Sequence, residues 1–430
     1  MSKTIVIIGA GLAGLSAALQ AAENGCNVKL VSSLPSERAQ SVMAEGGINA
    51  ALNTKDENDS PEEHFTDTIK AACGLADPNA VWGMTQAAPE LVHWLLKLGV
   101  KFNMSGYDDV DLRNFGGQKK KRTAFAQSDT GKQIMTAMID AVRRKEASGM
   151  VERFSHHSFL TLRLCGNICC GCVIRDEYSQ ETVELPGDAV IVATGGMHGL
   201  FGNTTGSLSN TGEVTAELFR LGVPLANGEM IQYHPTTVKC GGKRMLISEA
   251  ARGEGGRLFA MKDGKQWYFM EEKYPELGNL MPRDITAREI WKVSHESEVF
   301  LDMTEISEEI ISNKLSGLAD DCMPYLHKDI RKEPVSVLPG IHYFMGGILV
   351  DDQHRTPIQN LYAAGECCAQ YHGANRLGGN SLLGALYGGR VAAKSACEQA
   401  DVVDLSCATQ IDFPPASQIS EIKQLNKVMQ

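Results

Sequence analysis

The first thirty residues constrain this chain more than any other stretch. TIVIIGAGLAGLSAALQAAENGCNVKLVSS is an apolar run, a glycine-rich turn, an alanine-rich helical stretch and a second apolar run, which predicts a βαβ unit. Gly9, Gly11 and Gly14 form GxGxxG between strand and helix. Missing side chains there let backbone amides and the positive end of the helix approach a pyrophosphate, so the motif predicts a bound dinucleotide. Taken alone, the glycines could equally serve only to pack helix on sheet. The acidic residue that often closes the second strand is absent, because the chain reads Val31-Ser32-Ser33. Ribose contacts then fall to Ser32 or to backbone, which argues against NAD.

Two further apolar runs end in glycine turns, Asp188 to Thr194 before Gly195-Gly196 and Asn360 to Ala364 before Gly365-Glu366. They predict one parallel sheet assembled from both ends of the chain, with about 236 to 343 inserted as a separate domain. At 430 residues and 43% hydrophobic content the chain has material for roughly three domain-sized units. A net charge of -11 disfavours nonspecific binding to nucleic acid or anionic lipid, so any anion needs a local cationic pocket. No apolar run approaches the roughly 20 residues that span a bilayer, and the N-terminal run lacks a cleavage pattern, so a cytoplasmic protein is expected, with any membrane contact made through a partner. Twelve cysteines without a secretion signal suit a reducing compartment. Cys165, Cys169, Cys170 and Cys172 fall in LTLRLCGNICCGCVIRD, whose alternation predicts two strands about a Gly166-Asn167 turn; an iron-sulfur or zinc site is the alternative. Lys119 to Arg122 is expected to be a solvated basic loop.

The ordered segments RAQSVMAEGGINAALN, NFGGQ, DAVIVATGG, QYHPTT, SEAARGEGGRL, MPRDITARE, GIHYFMGGI, LYAAGE and HGANRLGGNSLL occur between about residues 3 and 400. In these the chain resembles the flavoprotein subunit of the fumarate reductase and succinate dehydrogenase family. The resemblance implies an α/β fold in which a Rossmann-type FAD-binding domain, residues 1 to 235 and 344 to 400, is interrupted by an α+β capping domain at 236 to 343. A linker and short helix follow at 401 to 430. The helical C-terminal domain of larger relatives is not found in this sequence, so a fragment or half of a split enzyme is one expectation.

By the same resemblance His234, Ser248, His342 and Arg376 are the dicarboxylate ligands, and Phe115 presses on the substrate face. Physically, two carboxylates held in a cleft need charge-assisted donors, and a guanidinium can grip one through two parallel bonds. Arg283 matches the family's proton donor, with Glu249 and Arg252 as the relay behind it. FAD contacts carried over are Gly9, Gly11, Gly14, Ser32, Gln40, Ser41, Glu45, Gly46, Gly47, Thr194, Gly195, Glu213, Glu366, Ser381 and Leu382. No metal site is implied.

Two departures matter. Where membrane-complex relatives carry the histidine that links covalently to FAD, this chain has Gln40, which cannot form that bond, so noncovalent FAD is expected. Losing the link makes the flavin harder to reduce and favours fumarate reduction over succinate oxidation. Glu45, where succinate dehydrogenases tend to have glutamine, points the same way. The resemblance therefore implies a fumarate reductase, or a succinate dehydrogenase, fed by an iron-sulfur or other redox partner subunit. An L-aspartate oxidase-like enzyme and a truncated FAD-binding paralogue without turnover are the alternatives. Ile419, Ile422, Leu425 and Val428 or Met429 form an apolar stripe that predicts a short helix docked on another surface, with a frayed tail as its alternative.

Overall fold

The structure is a computed structural model that describes residues 2–106 and 109–401, so the apolar stripe at 419–429 lies outside the described residues. Its central sheet has five parallel strands in the order Leu361–Ala363, Ala189–Val192, Thr4–Ile8, Asn27–Ser32 and Val151–Ser155. The three strands expected near the N-terminus, Asp188 and Asn360 are therefore neighbours, although hundreds of residues separate them. Val151–Ser155 is an additional edge strand.

Both faces of this sheet are covered, which is why its strands read as unbroken apolar runs. Ile5, Ile7, Val28, Leu30, Ala189 and Ile191 face a helical layer that includes Leu12–Glu23, Thr130–Ala147 and Asn380–Gln399. Val6, Ile8, Val31, Val190 and Val192 face an antiparallel sheet and join Leu162, Cys169, Cys172 and Leu185 in a second core. That antiparallel sheet contains the cysteine segment, and its strands His157–Cys165 and Ile168–Asp176 pair about Gly166-Asn167 as the alternation predicted. Burial pushes the Cys169 thiol up to about 12, so it behaves as a small apolar side chain.

The basic run departs from expectation at its end. Lys120 and Lys121 reach Glu63 and Glu57 near the surface, but Arg122 is fully buried. Its guanidinium lies 2.8 Å from Asp59 and 3.0 Å from Asp67, and these carboxylates offset the cost of removing the charge from water.

A third core, residues 247–337 with Phe115, lies beneath a four-stranded antiparallel sheet, Lys265–Trp267, Arg257–Lys262, Val299–Asp302 and Val335–Ser336. It is joined to the rest by two long antiparallel strands, Ile231–Cys240 and Leu338–Phe344. Their pairing is irregular between His234 and Thr237, a local break of the kind that re-aims side chains. Among the described residues no helix is long and apolar enough to cross a membrane.

Candidate functional site

A cavity of about 570 Å³ opens at the carboxyl ends of the parallel strands, where open α/β sheets bind ligands. Its floor is the turn Gly9 to Leu12. Gly9 has φ +110°, and a Cβ there would lie 2.2 Å from the Ala193 carbonyl oxygen; a Cβ on Gly14 would lie 1.8 Å from that of Gly9. These two glycines therefore seat the helix on the sheet. Gly11 brings no side chain to the helix start, where the Leu12 N–H donates to the Ser41 hydroxyl at 3.4 Å and the positive end of the helix faces the cavity. The Ser32 hydroxyl is buried, borders the cavity and has no partner among the described residues. An unpaired hydroxyl beside the positive start of a helix fits the ribose and pyrophosphate of a dinucleotide.

Every cofactor contact expected from sequence borders this cavity except Gly14, which lies behind its floor. His234, Ser248, His342, Arg376, Phe115, Arg283 and Glu249 border it as well, while Arg252 stands behind Glu249. Local sequence explains several of these placements. Ser248 caps the helix Glu249–Gly253, accepting from the Ala250 N–H while its own proton stays free to donate. Arg283 opens the helix Arg283–Val293 directly after Pro282. His234 follows Gln232 by two residues on one strand, so both point inward while Tyr233 is exposed.

Glu249 is the hub. Its Oε2 accepts from Arg283 Nε at 2.8 Å and lies 2.6 Å from the Nη2 of the same residue; its Oε1 accepts from Arg252 at 3.2 Å and from the Gly116 N–H at 3.0 Å. Burial alone would raise the Glu249 carboxyl. The two guanidinium groups and these hydrogen bonds outweigh it and hold the group below the usual carboxylate range. Arg283 also donates to Gln232 Oε1 at 3.1 Å, and Gln232 in turn donates to the Arg376 carbonyl at 2.8 Å. Sequence reading passed over Gln232, although its period-two spacing from His234 was a usable signal.

Arg376 is buried and lies over the Tyr343 ring at 4.5 Å, and among the described residues it has no carboxylate partner. Burial, with Arg283 nearby, lowers it to about 9, still cationic at neutral pH. Arg252 and Arg283 share the Glu249 carboxylate, and Arg376 lies nearby, under the influence of Glu366 and Glu249 but paired with neither, so positive charge is in excess here. Burial, with Arg283 the next contributor in each case, pushes His234 and His342 well below the ordinary histidine value and leaves them neutral. Their rings lie 5.1 Å apart. The His234 Nε2 is buried without a partner among the described residues, and Thr205 contacts the His342 Nδ1 at 2.8 Å. The pocket is thus cationic and suits an anion.

Glu45 is the opposite case. Burial, then Asp321, raises it to about 8 against the pull of Arg113, and its Oε2 has no partner. Folding therefore binds a proton that the unfolded chain releases, so this stabilisation is present below about pH 4.5 and lost as pH rises through about 8. Glu45→Gln is expected to remove that loss. The difference in unfolding free energy between variant and parent should grow from near zero at pH 5 to on the order of 1–3 kcal/mol at pH 8.5. Denaturant midpoints at both pH values measure it, and parallel profiles would overturn the assignment.

The FAD binding domain family model matches residues 4–382. The chain is 43% identical to the succinate dehydrogenase flavoprotein subunit of Bacillus subtilis, over 94% of its own length and 70% of that protein's. It belongs to that flavoprotein family. The solved structure of a variant of E. coli quinol fumarate reductase FrdA is similar with a TM-score of 0.87 at 29% identity, covering 99% of this chain and 74% of that one. L-aspartate oxidase of Streptomyces coelicolor is 34% identical, covering 91% of this chain and 68% of that protein. The protein is thus an FAD-dependent oxidoreductase of the fumarate reductase and succinate dehydrogenase type.

Proposed function

We propose that this chain reduces fumarate to succinate with noncovalently held FAD, taking electrons from an iron-sulfur or other redox partner subunit in the cytoplasm. The observation that carries the substrate class is the excess of positive charge where Arg252 and Arg283 share Glu249 and a buried Arg376 borders the cavity without a carboxylate partner among the described residues, which suits an anionic substrate. In this reading Arg376 grips one carboxylate through two parallel bonds. His234, Ser248 and His342 donate to the rest, and Phe115 holds the carbon chain in place. Residues 236 to 343 act as the capping domain that excludes water.

Bound FAD supplies the hydride. As one alkene carbon receives it, the other gains carbanion character, which Arg283 stabilises by charge and quenches by donating a proton. An arginine is a weak acid, with a pKa above about 12, but a carbanion is a far stronger base. Glu249 returns the proton from Arg252, and the bonds at 2.6 to 3.2 Å that join the three side chains give the relay its path.

An amino-acid substrate presents an ammonium that needs an anionic partner. Both oxygens of Glu249, the carboxylate in contact with Arg252 and Arg283, are already engaged by arginine and so are not free to receive that ammonium. Purified protein assayed side by side for viologen-linked fumarate reduction and for aspartate oxidation is expected to show the first alone. Aspartate turnover without fumarate reduction would overturn the proposal.

Gln40 borders the cavity where a linking histidine would stand. Acid denaturation is therefore expected to release all of the flavin to the supernatant. Flavin fluorescence that stays on the denatured polypeptide would refute the noncovalent assignment.

A further inference from the structure

We propose that His198 is a positioning residue that orients the Glu366 carboxylate toward the cofactor and ties it to the substrate-binding His342. The proposal rests on the reading that Glu366 contacts FAD. His198 is fully buried just beyond the Ala193 to Gly196 turn at the strand ends. Its Nε2 lies 3.2 Å from Glu366 Oε1 and its Nδ1 2.7 Å from the Thr204 hydroxyl. The ring meets Phe344 edge-on at 4.9 Å. It also occupies the space beside Gly206, where a Cβ would fall 2.2 Å from the ring, so a side chain at 206 and this histidine are mutually exclusive.

The hydrogen bonds determine where the ring proton belongs. Glu366 Oε1 also accepts from the Phe344 N–H at 3.0 Å. A bare Nε2 would set a lone pair against that carboxylate oxygen, so Nε2 carries the proton and donates it. The Thr204 hydroxyl then donates to Nδ1, while its oxygen accepts from the Gly206 N–H at 3.0 Å. With Oε1 held by two donors, Oε2 is left for the cavity, and among the described residues no protein donor reaches it.

The far end of the same segment meets the substrate site. Thr205 follows Thr204, contacts His342 Nδ1 at 2.8 Å, and donates its backbone N–H to the Ile341 carbonyl at 2.9 Å. His342 and Phe344 are two residues apart on one strand, so a shift of Glu366 is felt at His342 through the segment 198–205 and through Phe344. Neither path involves Arg283 or the relay.

Deflavinated protein titrated with FAD, followed by quenching of flavin fluorescence, tests this without turnover. His198→Ala is expected to weaken FAD binding about tenfold, the scale of one hydrogen bond to a charged group. It should also weaken succinate binding, read from perturbation of the bound-flavin absorbance. His198→Gln, whose amide can reach Glu366, should recover most of both. Thr204→Val, which removes the donor to Nδ1, should fall between them and serves as the probe if His198→Ala does not fold. Unchanged FAD affinity in His198→Ala, or in Thr204→Val if His198→Ala does not fold, would overturn the positioning role. Glu366→Gln separates the two readings. If it leaves FAD affinity unchanged, the Glu366 contact itself is wrong; if it weakens FAD while His198→Ala does not, only the positioning role fails.

Discussion

Arg283→Ala is expected to retain FAD and to lose fumarate reduction by 10²- to 10⁴-fold or more. General acid catalysis alone contributes about that much, and loss of the charge adds to it. The structure adds a second consequence. Glu249 loses two contacts to its Oε2 and keeps only Arg252 and the Gly116 N–H, so the burial that already raises its pKa meets less opposition and the relay carboxylate moves toward its neutral form. Breaking one arm of a buried ion pair also destabilises, by about 3–5 kcal/mol in measured cases. Thermal melts of the holoprotein must therefore accompany the kinetics. Arg283→Lys keeps the charge while losing the two-pronged grip on Glu249 and the bond to Gln232, and it should fall well below the parent with its melt largely restored. Arg376→Ala makes the contrast, raising KM as well as lowering kcat, because its guanidinium borders the cavity without touching Glu249. More than about a tenth of parent activity in Arg283→Ala would exclude it as the proton donor.

Gly14→Ala is expected to yield protein without FAD. The added methyl would stand 1.8 Å from the Gly9 carbonyl oxygen and 3.6 Å from the Ala193 Cβ, and a backbone atom cannot move aside as the end of a flexible side chain can. The helix Leu12–Glu23 must lift off the sheet, taking with it the N–H groups meant for the pyrophosphate. Overpacking of this kind costs about 1–3 kcal/mol and more when backbone must shift. Gly11→Ala is the control for the fold, because a Cβ there meets nothing closer than 3.8 Å. It should melt like the parent while its methyl, bordering the cavity, hinders the cofactor. Flavin absorbance per chain and the melting midpoint of the apoprotein measure both. Stoichiometric FAD on Gly14→Ala would show that the helix absorbs the methyl in place.

The chain's own residues determined the parallel sheet and its binding edge. Strands buried on both faces must be apolar throughout, and a helix seated on a sheet needs glycine where backbones touch, so both features are written locally at Thr4 to Val31, Ala189 to Val192 and Leu361 to Ala363. The cysteine hairpin was legible for the same reason, since alternation and a Gly-Asn turn are properties of neighbours in sequence. Val151–Ser155 was not, because VERFS carries little apolar signal and becomes a strand by pairing with Asn27–Ser32. Arg122 read as a solvated charge until Asp59 and Asp67, more than fifty residues away, were seen to neutralise it. His198 sits in no motif quoted for the family, and its meaning depends on Glu366, 168 residues away. Motifs named the arginines and histidines of the site one at a time. That Arg252 and Arg283 share the Glu249 carboxylate while Arg376 stands nearby without one, so that the pocket is cationic, is decided only where the strands and helices that carry them converge, because Coulomb energy depends on separation in space and not along the chain.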